Sequence, residues 1–198
     1  MQRSIELAKS WGVRPDILFT VTPENVHELE ELYTEYVLNK GLLVILNPIF
    51  DYNGVGERLD PIHLGELRKW ARKPGIYLNE AFLKLRAEGG NSTADPICRA
   101  GSSTVVISPE NKLVLPCYHL GLQELPIEGD LEAVYRSVEA QEVIRQEGRL
   151  PGCEGCVVNC YMEPSLAVET GRYFWTSLRS TVKYGLEKWV YGQSESRV

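Results

Sequence analysis

The chain has 198 residues, of which 43% are hydrophobic and 24% are charged, and its formal net charge is −6. This composition excludes a mostly disordered chain, and the length suits one domain or one domain with a small appendage. The acidic balance argues against nucleic acid or an anionic membrane as the main partner, because binding to phosphates needs a basic face.

The sequence carries no recognisable targeting or membrane signal. Met1–Ser10 lacks an apolar core, and the longest aliphatic run, Leu42–Leu46, is far too short to span a membrane. We therefore expect a cytoplasmic protein. In a reducing compartment, clustered cysteines bind metal or carry out redox chemistry more often than they form disulfides.

The first part of the chain alternates helices with continuous apolar strands. The predicted elements are a helix at 4–11, a strand at 17–21, a helix from Thr22 to Gly41, a strand at 42–46, a helix at 60–71, a strand at 75–78 and a helix at 79–87. Uninterrupted apolar strands joined by helices are typical of a parallel sheet, so we predict an α/β fold.

Three strands make a small parallel sheet with exposed edges, which proteins normally cover or close. Either a partner chain completes this sheet, or the chain is a piece of a longer protein. We favour the second interpretation, that the chain is a piece of a longer protein.

Composition changes after Gly90. We predict a hairpin of strands at 104–108 and 112–115, a helix at 130–146, a turn-rich segment at 148–160 and a last helix at 173–191. We accordingly divide the chain into domains at 1–91 and 92–198.

All five cysteines lie in the second of these domains. Cys98 and Cys117 flank the hairpin, Cys153 and Cys156 form a C-x-x-C, and Cys160 follows three residues later. A C-x-x-C lets two sulfurs reach one metal, and two thiolates from the ends of the hairpin complete a four-sulfur site. Such a site suits zinc or an iron–sulfur cluster, and the spacing by itself leaves both open.

The cysteine pattern carries a resemblance to a known family. Cys98, the hairpin that ends at Cys117, and Cys153-x-x-Cys156-x-x-x-Cys160 resemble the C-terminal auxiliary-cluster module of radical S-adenosylmethionine (SAM) enzymes. This module is called SPASM in its two-cluster form and twitch in its one-cluster form.

The resemblance extends upstream and implies a more specific fold. The segment 19–25, Asn47-Pro48 and Gly89-Gly90-Asn91 resemble the last strands of the family's partial (β/α)6 barrel. The implied fold is the C-terminal part of a TIM-like barrel, followed by a small β-hairpin-plus-helix Fe–S domain.

Two departures from the family pattern matter. Lys112 stands where the family commonly has glycine, and no cysteine precedes Cys98, so the C-x-x-x-C-x-x-C loop of the SAM-cleaving cluster is absent. The resemblance therefore implies the C-terminal half of a radical SAM oxidoreductase, which does not cleave SAM alone. Its expected partner is the missing N-terminal barrel half or a chain that carries C-x-x-x-C-x-x-C.

The resemblance also implies cofactors. Cys98, Cys117, Cys153 and Cys156 would hold one auxiliary 4Fe–4S cluster, and Cys160 is a fifth candidate that replaces one of them or lies beside the cluster. The intact parent would use SAM and a flavodoxin or ferredoxin reductant, and its substrate is unknown. The alternative is a non-catalytic module that binds zinc, transfers electrons or serves as a partner subunit.

Polar residues at the ends of the first two strands are further candidates. Thr20, Thr22 and Asn25 would contact SAM, or they merely cap the turn and helix that follow; Asn47 is a weaker candidate of the same kind. Asp51-Tyr52-Asn53-Gly54 borders a substrate pocket or is only a turn.

Three aromatic residues adjoin the cysteines, namely Tyr118, His119 and Tyr161. We expect Tyr118 and Tyr161 to pack over the site rather than transfer a radical. His119 could donate to a cluster sulfur or serve as a ligand, but we favour a hydrogen-bonded surface histidine. For His27 and His63 we expect structural roles.

Overall fold

The computed structural model describes residues 2–50, 59–168 and 170–193, with side chains as far as Tyr191. The fold is mixed α/β, as the alternating pattern predicts. The chain forms two compact units, Met1–Leu83 with Thr176–Val198, and Lys84–Trp175. The division drawn from the sequence assigned the last helix to the cysteine domain, whereas the structure groups nearly all of that helix with the first unit.

The first unit contains a three-stranded parallel sheet. Strands β1 (Ile17–Val21), β2 (Val44–Pro48) and β3 (Ile76–Tyr77) lie in the order β1-β2-β3, so β1 and β3 are the edges. In the register of β1 and β2, Phe19 pairs with Leu46 and Thr20 pairs with Asn47. The three strands lie where the continuous apolar runs predict them.

Helices α1 (Gln2–Ser10), α3 (Pro61–Trp70), α4 (Glu80–Ala87) and α9 (Phe174–Gln193) also match predicted segments. The predicted helix from Thr22 to Gly41 is less regular. It comprises a 3-10 turn at Val26–Glu28, helix α2 at Leu29–Leu32 and a wider π turn at Tyr33–Leu38. The buried core of this unit joins the sheet to these helices and includes Val21, Leu29, Leu42, Val44, Leu67 and Ile76.

The second unit is built from short elements. They are α5 (Ala100–Ser103), β4 (Lys112–Leu115), β5 (Gln123–Pro126), α6 (Leu131–Tyr135), α7 (Val138–Ile144) and α8 (Asn159–Val168). Strands β4 and β5 pair antiparallel, with Leu113 opposite Leu125. Leu113 and Leu115 pack against Ala140 and Ile144, which fixes the hairpin on the helices.

The hairpin differs from the predicted one. The segment 104–108 is not a strand, and only Ile107 bridges to Leu113. The side chains of Val105 and Ile107 are half exposed, and the Ser108 N–H donates to the Lys112 carbonyl while the Val114 N–H donates to the Val106 carbonyl, both at 2.9 Å. The main partner of β4 is β5 instead.

Two helical predictions also need correction. The helix expected at 130–146 is interrupted, because the Ser137 hydroxyl accepts a hydrogen bond from the Ala140 N–H at 3.2 Å and starts α7 afresh. Helix α8 begins inside the segment read as turn-rich and contains Pro164, a residue that normally breaks helices. None of the helices in the described residues is apolar over a stretch that would cross a membrane.

Candidate functional site

The five cysteines all belong to the second unit, and none forms a disulfide. Cys98 precedes α5, Cys117 follows β4, Cys153 ends a 3-10 turn at Pro151–Cys153, Cys156 lies in the next loop and Cys160 is in the first turn of α8. Cys98 and Cys153 are buried, Cys117 and Cys156 are half-buried, and Cys160 is exposed.

The thiols influence one another electrostatically although they come from separate segments. The pKa of Cys98 is raised to about 12, mainly by burial, and negative charge on Cys156, Cys153 and Cys117 contributes to this shift. Burial likewise raises the pKa of Cys156 to about 11, with Cys153, Cys117 and Cys160 adding to the effect. This mutual influence joins all five sulfurs in one group, which we call the cysteine cluster.

The donor set fits a thiolate-ligated metal group. Soft thiolate ligands select zinc or iron–sulfur clusters over magnesium or calcium. In the described parts of the chain, however, no three or more His, Cys, Asp or Glu side chains form a group that could hold a metal ion as they stand. The cysteine cluster thus supplies thiolate ligands, which is the chemistry that zinc and iron–sulfur groups require.

Asn91 ties the cysteine segments together. Its side chain is buried, and its Nδ2 donates to the carbonyl oxygens of Gly148 at 2.8 Å and Cys153 at 3.0 Å. Its Oδ1 accepts from the backbone N–H groups of Ile97 and Cys98, both at 3.0 Å. One amide side chain therefore fixes the backbone at Cys98 relative to the backbone at Cys153.

The backbone of Asn91 makes a second connection, to the C-x-x-C loop. The Asn91 N–H donates to the Cys156 carbonyl at 3.0 Å, and the Gly155 N–H donates to the Asn91 carbonyl at 2.8 Å. This approach requires glycine at position 90, where φ is +89° and an added Cβ would lie 2.5 Å from the Gly155 oxygen. The segment 90–91 is therefore the base on which the C-x-x-C loop rests.

The C-x-x-C loop is also held from its outer side. Glu154 accepts hydrogen bonds from the Thr93 backbone N–H at 2.7 Å and from its hydroxyl at 2.6 Å. The Thr93 hydroxyl and N–H lower the pKa of Glu154. The loop between Cys153 and Cys156 is thus anchored at Asn91 and at Thr93.

Of the aromatic neighbours, Tyr161 is buried, whereas Tyr118 is 65% exposed. The Tyr161 hydroxyl accepts a hydrogen bond from the Tyr118 N–H at 2.9 Å. The rings of His119 and Tyr161 pack edge to face, with their centroids 5.8 Å apart. Burial lowers the pKa of His119 and raises that of Tyr161. Tyr161 therefore links the start of α8 to the segment that follows Cys117.

Sequence reasoning missed the roles of Asn91, Thr93 and Glu154. The pair Gly89-Gly90 directly before an asparagine was the available signal, since positive φ angles at consecutive glycines mark a close backbone approach. Glu163 was also missed. It lies one turn after Cys160, and burial raises its pKa to about 7.

The strand-end candidates belong to the first unit. Thr20 and Asn47 lie side by side on β1 and β2. The Asn25 Oδ1 accepts from the Thr22 N–H at 2.8 Å, and its Nδ2 donates to the Thr20 carbonyl at 3.0 Å. Both polar atoms of Asn25 thus close the turn after β1, which favours the capping role for this residue.

Two further sequence candidates are the loop at 51–54 and His63. The predicted pocket loop Asp51-Tyr52-Asn53-Gly54 lies outside the described residues. The His63 N–H donates to the Asp60 carboxylate at 2.9 Å, which caps the start of α3 and agrees with a structural role.

Comparison with known proteins yields no relative. No protein-family model matches the chain, and no significant match occurs among curated proteins or solved structures. Functional inference for this chain therefore rests on its own residues.

Proposed function

We propose that the second unit is an auxiliary iron–sulfur module, in which Cys98, Cys117, Cys153 and Cys156 hold one 4Fe–4S cluster. The observation that carries this proposal is the pair of connections made by Asn91. Its side chain and backbone bind the segments of three of these four cysteines. The side chain of this buried asparagine makes four hydrogen bonds, and such a satisfied polar network makes its surroundings rigid. Here the network holds the cysteine segments in place.

Binding of a metal group would change the charge state of the cysteine cluster. Buried thiols resist ionisation, as the raised pKa values of Cys98 and Cys156 reflect. A bound cation reverses that preference, because a coordinated thiol loses its proton and the metal charge compensates the thiolates. Four thiolates in a partly buried site give the all-sulfur ligation that iron–sulfur clusters use.

Cys160 fits the ligand set least well. It is the exposed member of the cysteine cluster, whereas the other four thiols are buried or half-buried. We therefore place Cys160 beside the cluster rather than among its ligands.

At the level of the whole molecule, we propose that the chain is the C-terminal part of a radical SAM oxidoreductase of the cytoplasm. The first unit would form the last strands of its partial barrel, with Thr20, Thr22, Asn25 and Asn47 near the SAM site. Among the described strands β1 is an edge of the sheet, and such an edge can pair with an additional strand. A polypeptide segment with C-x-x-x-C-x-x-C would supply the SAM-cleaving cluster, and a flavodoxin or ferredoxin would supply electrons.

In this assignment, a bound cluster supplies one-electron transfer or a binding point for substrate. The chain itself controls access to the site. Burial of Cys98 and Cys153 excludes water, and the anchored loop between Cys153 and Cys156 limits movement of two ligands.

A structural zinc is the second candidate, because Cys117 lies in the connection between β4 and β5 and the C-x-x-C loop supplies a further pair of thiols. Four thiolates at tetrahedral positions suit zinc as well as they suit a cluster. In that case the zinc would stabilise the fold of the second unit, and the unit would not transfer electrons.

Serine substitution of single cysteines tests the assignment. After anaerobic reconstitution with iron and sulfide, we expect a broad absorbance near about 400 nm that is lost in Cys98→Ser, Cys117→Ser, Cys153→Ser and Cys156→Ser. The Cys160→Ser variant is the matched control and should retain most of the absorbance. Greater loss in Cys160→Ser than in the other variants would contradict the ligand assignment, and a colourless protein with one zinc would favour the second candidate.

A further inference from the structure

Helix α9 carries an exposed apolar stripe that the proposed cluster does not use. The stripe consists of Trp175, Leu178, Val182, Leu186 and Trp189, whose exposed fractions lie between 40% and 71%. At 100° per residue, these five side chains fall within an arc of about 80° on the helix surface. Contiguous exposed apolar patches of this size mark interaction sites in soluble proteins.

The opposite face of α9 is fastened to the first unit, so the stripe is not free to turn inward. Ser177 accepts from Asn79 at 3.0 Å, Ser180 accepts from the Glu80 N–H at 3.2 Å, Lys183 donates to the Ile76 carbonyl at 2.7 Å, and Glu187 accepts from the Gly75 N–H at 3.1 Å. These four bonds come from three consecutive turns of the helix. They fix its rotation and leave the apolar stripe facing outward.

The stripe is symmetric about its central residue. Leu178 and Leu186 lie four residues to either side of Val182, and Trp175 and Trp189 lie seven residues to either side. A two-fold rotation through Val182, perpendicular to the helix axis, therefore places each side chain of the stripe on one of the same type. Self-complementarity of this kind is the requirement for an isologous dimer interface.

We propose that α9 pairs antiparallel with α9 of a second copy of this chain, around a two-fold axis at Val182. In this arrangement Leu178 of one copy faces Leu186 of the other, and the two tryptophans meet in the same way at each end. The stripe is about 21 Å long, from the 1.5 Å rise per residue over 14 residues. Its side chains offer on the order of 500 Å² per copy, or about 1,000 Å² in the pair, which reaches the lower limit for a specific interface.

Gly185 is an independent indication of close helix approach. It lies in the middle of α9, where glycine is among the least favourable residues, and an added Cβ would meet no atom of the chain within 4 Å. The fold of one copy therefore gives no reason for glycine at this position. At the edge of the stripe, the missing side chain lets a second helix approach.

A second copy fits this stripe better than a membrane surface does. The stripe has two-fold symmetry, which a lipid surface does not require, and the net charge of −6 opposes binding to anionic lipid.

The first test is sedimentation equilibrium of the full chain under reducing conditions, which prevent disulfide links through Cys160. We expect a concentration-dependent dimer in the wild type. Val182→Glu places two carboxylates against each other at the axis and should weaken association at least tenfold. Thr181→Glu adds the same charge on the exposed neighbouring position, outside the stripe, and should leave the dimer intact.

A charge pair tests the direction of the helices. Leu178→Glu and Leu186→Lys should each weaken the dimer, and the double variant should recover association, because antiparallel helices bring positions 178 and 186 together. Circular dichroism checks that every variant keeps its helix content. Failure of the double variant to recover overturns the antiparallel arrangement.

Two results would overturn the dimer itself. One is a monomer at all concentrations, including a monomer that co-sediments with phosphatidylserine vesicles. The other is a dimer that Val182→Glu leaves unchanged. Because α9 contributes no cysteine, Cys98→Ser should still dimerise, so failure of the cluster assignment and failure of the dimer are separate outcomes.

Discussion

Adjacent glycines at 89 and 90 offer a controlled test of the approach between Asn91 and the C-x-x-C loop. Both have positive φ angles, +98° and +89°. They differ in their surroundings. An added Cβ at Gly89 meets nothing within 4 Å, whereas at Gly90 it would lie 2.5 Å from the Gly155 oxygen and 2.9 Å from the Cys156 oxygen.

The expected magnitudes follow from this difference. Alanine at positive φ costs about 1–2 kcal/mol, and this cost applies to both Gly89→Ala and Gly90→Ala. At Gly90 the clash is with backbone, so the loop must move away. Overpacking of this kind costs about 1–3 kcal/mol, and weakening of the two hydrogen bonds between Asn91 and the loop adds about 1 kcal/mol. We expect Gly90→Ala to lose about 2–4 kcal/mol more stability than Gly89→Ala.

Urea unfolding of the reduced protein, followed by circular dichroism, measures the two free energies of unfolding. Hydrogen exchange at the Gly155 and Asn91 amides locates the effect, since both amides should lose protection in Gly90→Ala alone. Reconstitution with iron should fail in Gly90→Ala and succeed in Gly89→Ala. Equal stability losses in the two variants would refute the close approach.

Three further predictions concern the same unit. Asn91→Ala removes four hydrogen bonds, three of them buried, and should lower the free energy of unfolding by about 3–5 kcal/mol in urea titrations. A loss below about 1 kcal/mol would contradict the role of Asn91. Between pH 9 and about 12 the unfolded chain releases the Cys98 proton while the folded chain keeps it, so stability should fall as pH rises, by at most about 1.4 kcal/mol per pH unit. The slope should be shallower in Cys98→Ser, and an unchanged slope would contradict the burial of this thiol. In iodoacetamide labelling of the reduced, metal-free protein, mass spectrometry should find Cys160 modified first and Cys98 last, because only exposed thiolates react quickly; faster labelling of Cys98 would contradict this order.

The sheet of the first unit was predictable because its strands coincide with continuous apolar runs, and the central strand β2 has no exposed residue. Runs such as Leu42–Leu46 are apolar at every position, which marks a covered parallel strand without any knowledge of its neighbours. The short strand β5 gave no such signal. Its residues alternate between half-buried and exposed, and backbone pairing with β4 holds it in place.

The second unit was harder to predict because side chains interrupt its local patterns. Ser137 caps α7 and thereby divides a continuous helical pattern. Pro164 lies inside α8, and because proline normally breaks helices the sequence did not predict a helix there. In both cases a single residue overrides the periodicity of its neighbours.

The cysteine spacing predicted a candidate metal centre, but it did not reveal what organises that centre. Asn91 binds Gly148 and Cys153, which lie 57 and 62 residues further along the chain. A pattern within a short window of sequence contains no information about such distant partners. The glycine at position 90 becomes interpretable only when Gly155 is known to lie against it.

Metal and sulfide analysis of the anaerobically reconstituted protein tests the central claim most directly. The proposed ligation by Cys98, Cys117, Cys153 and Cys156 predicts about four iron and four sulfide per chain, with no zinc. One zinc per chain with neither iron nor sulfide would contradict the cluster.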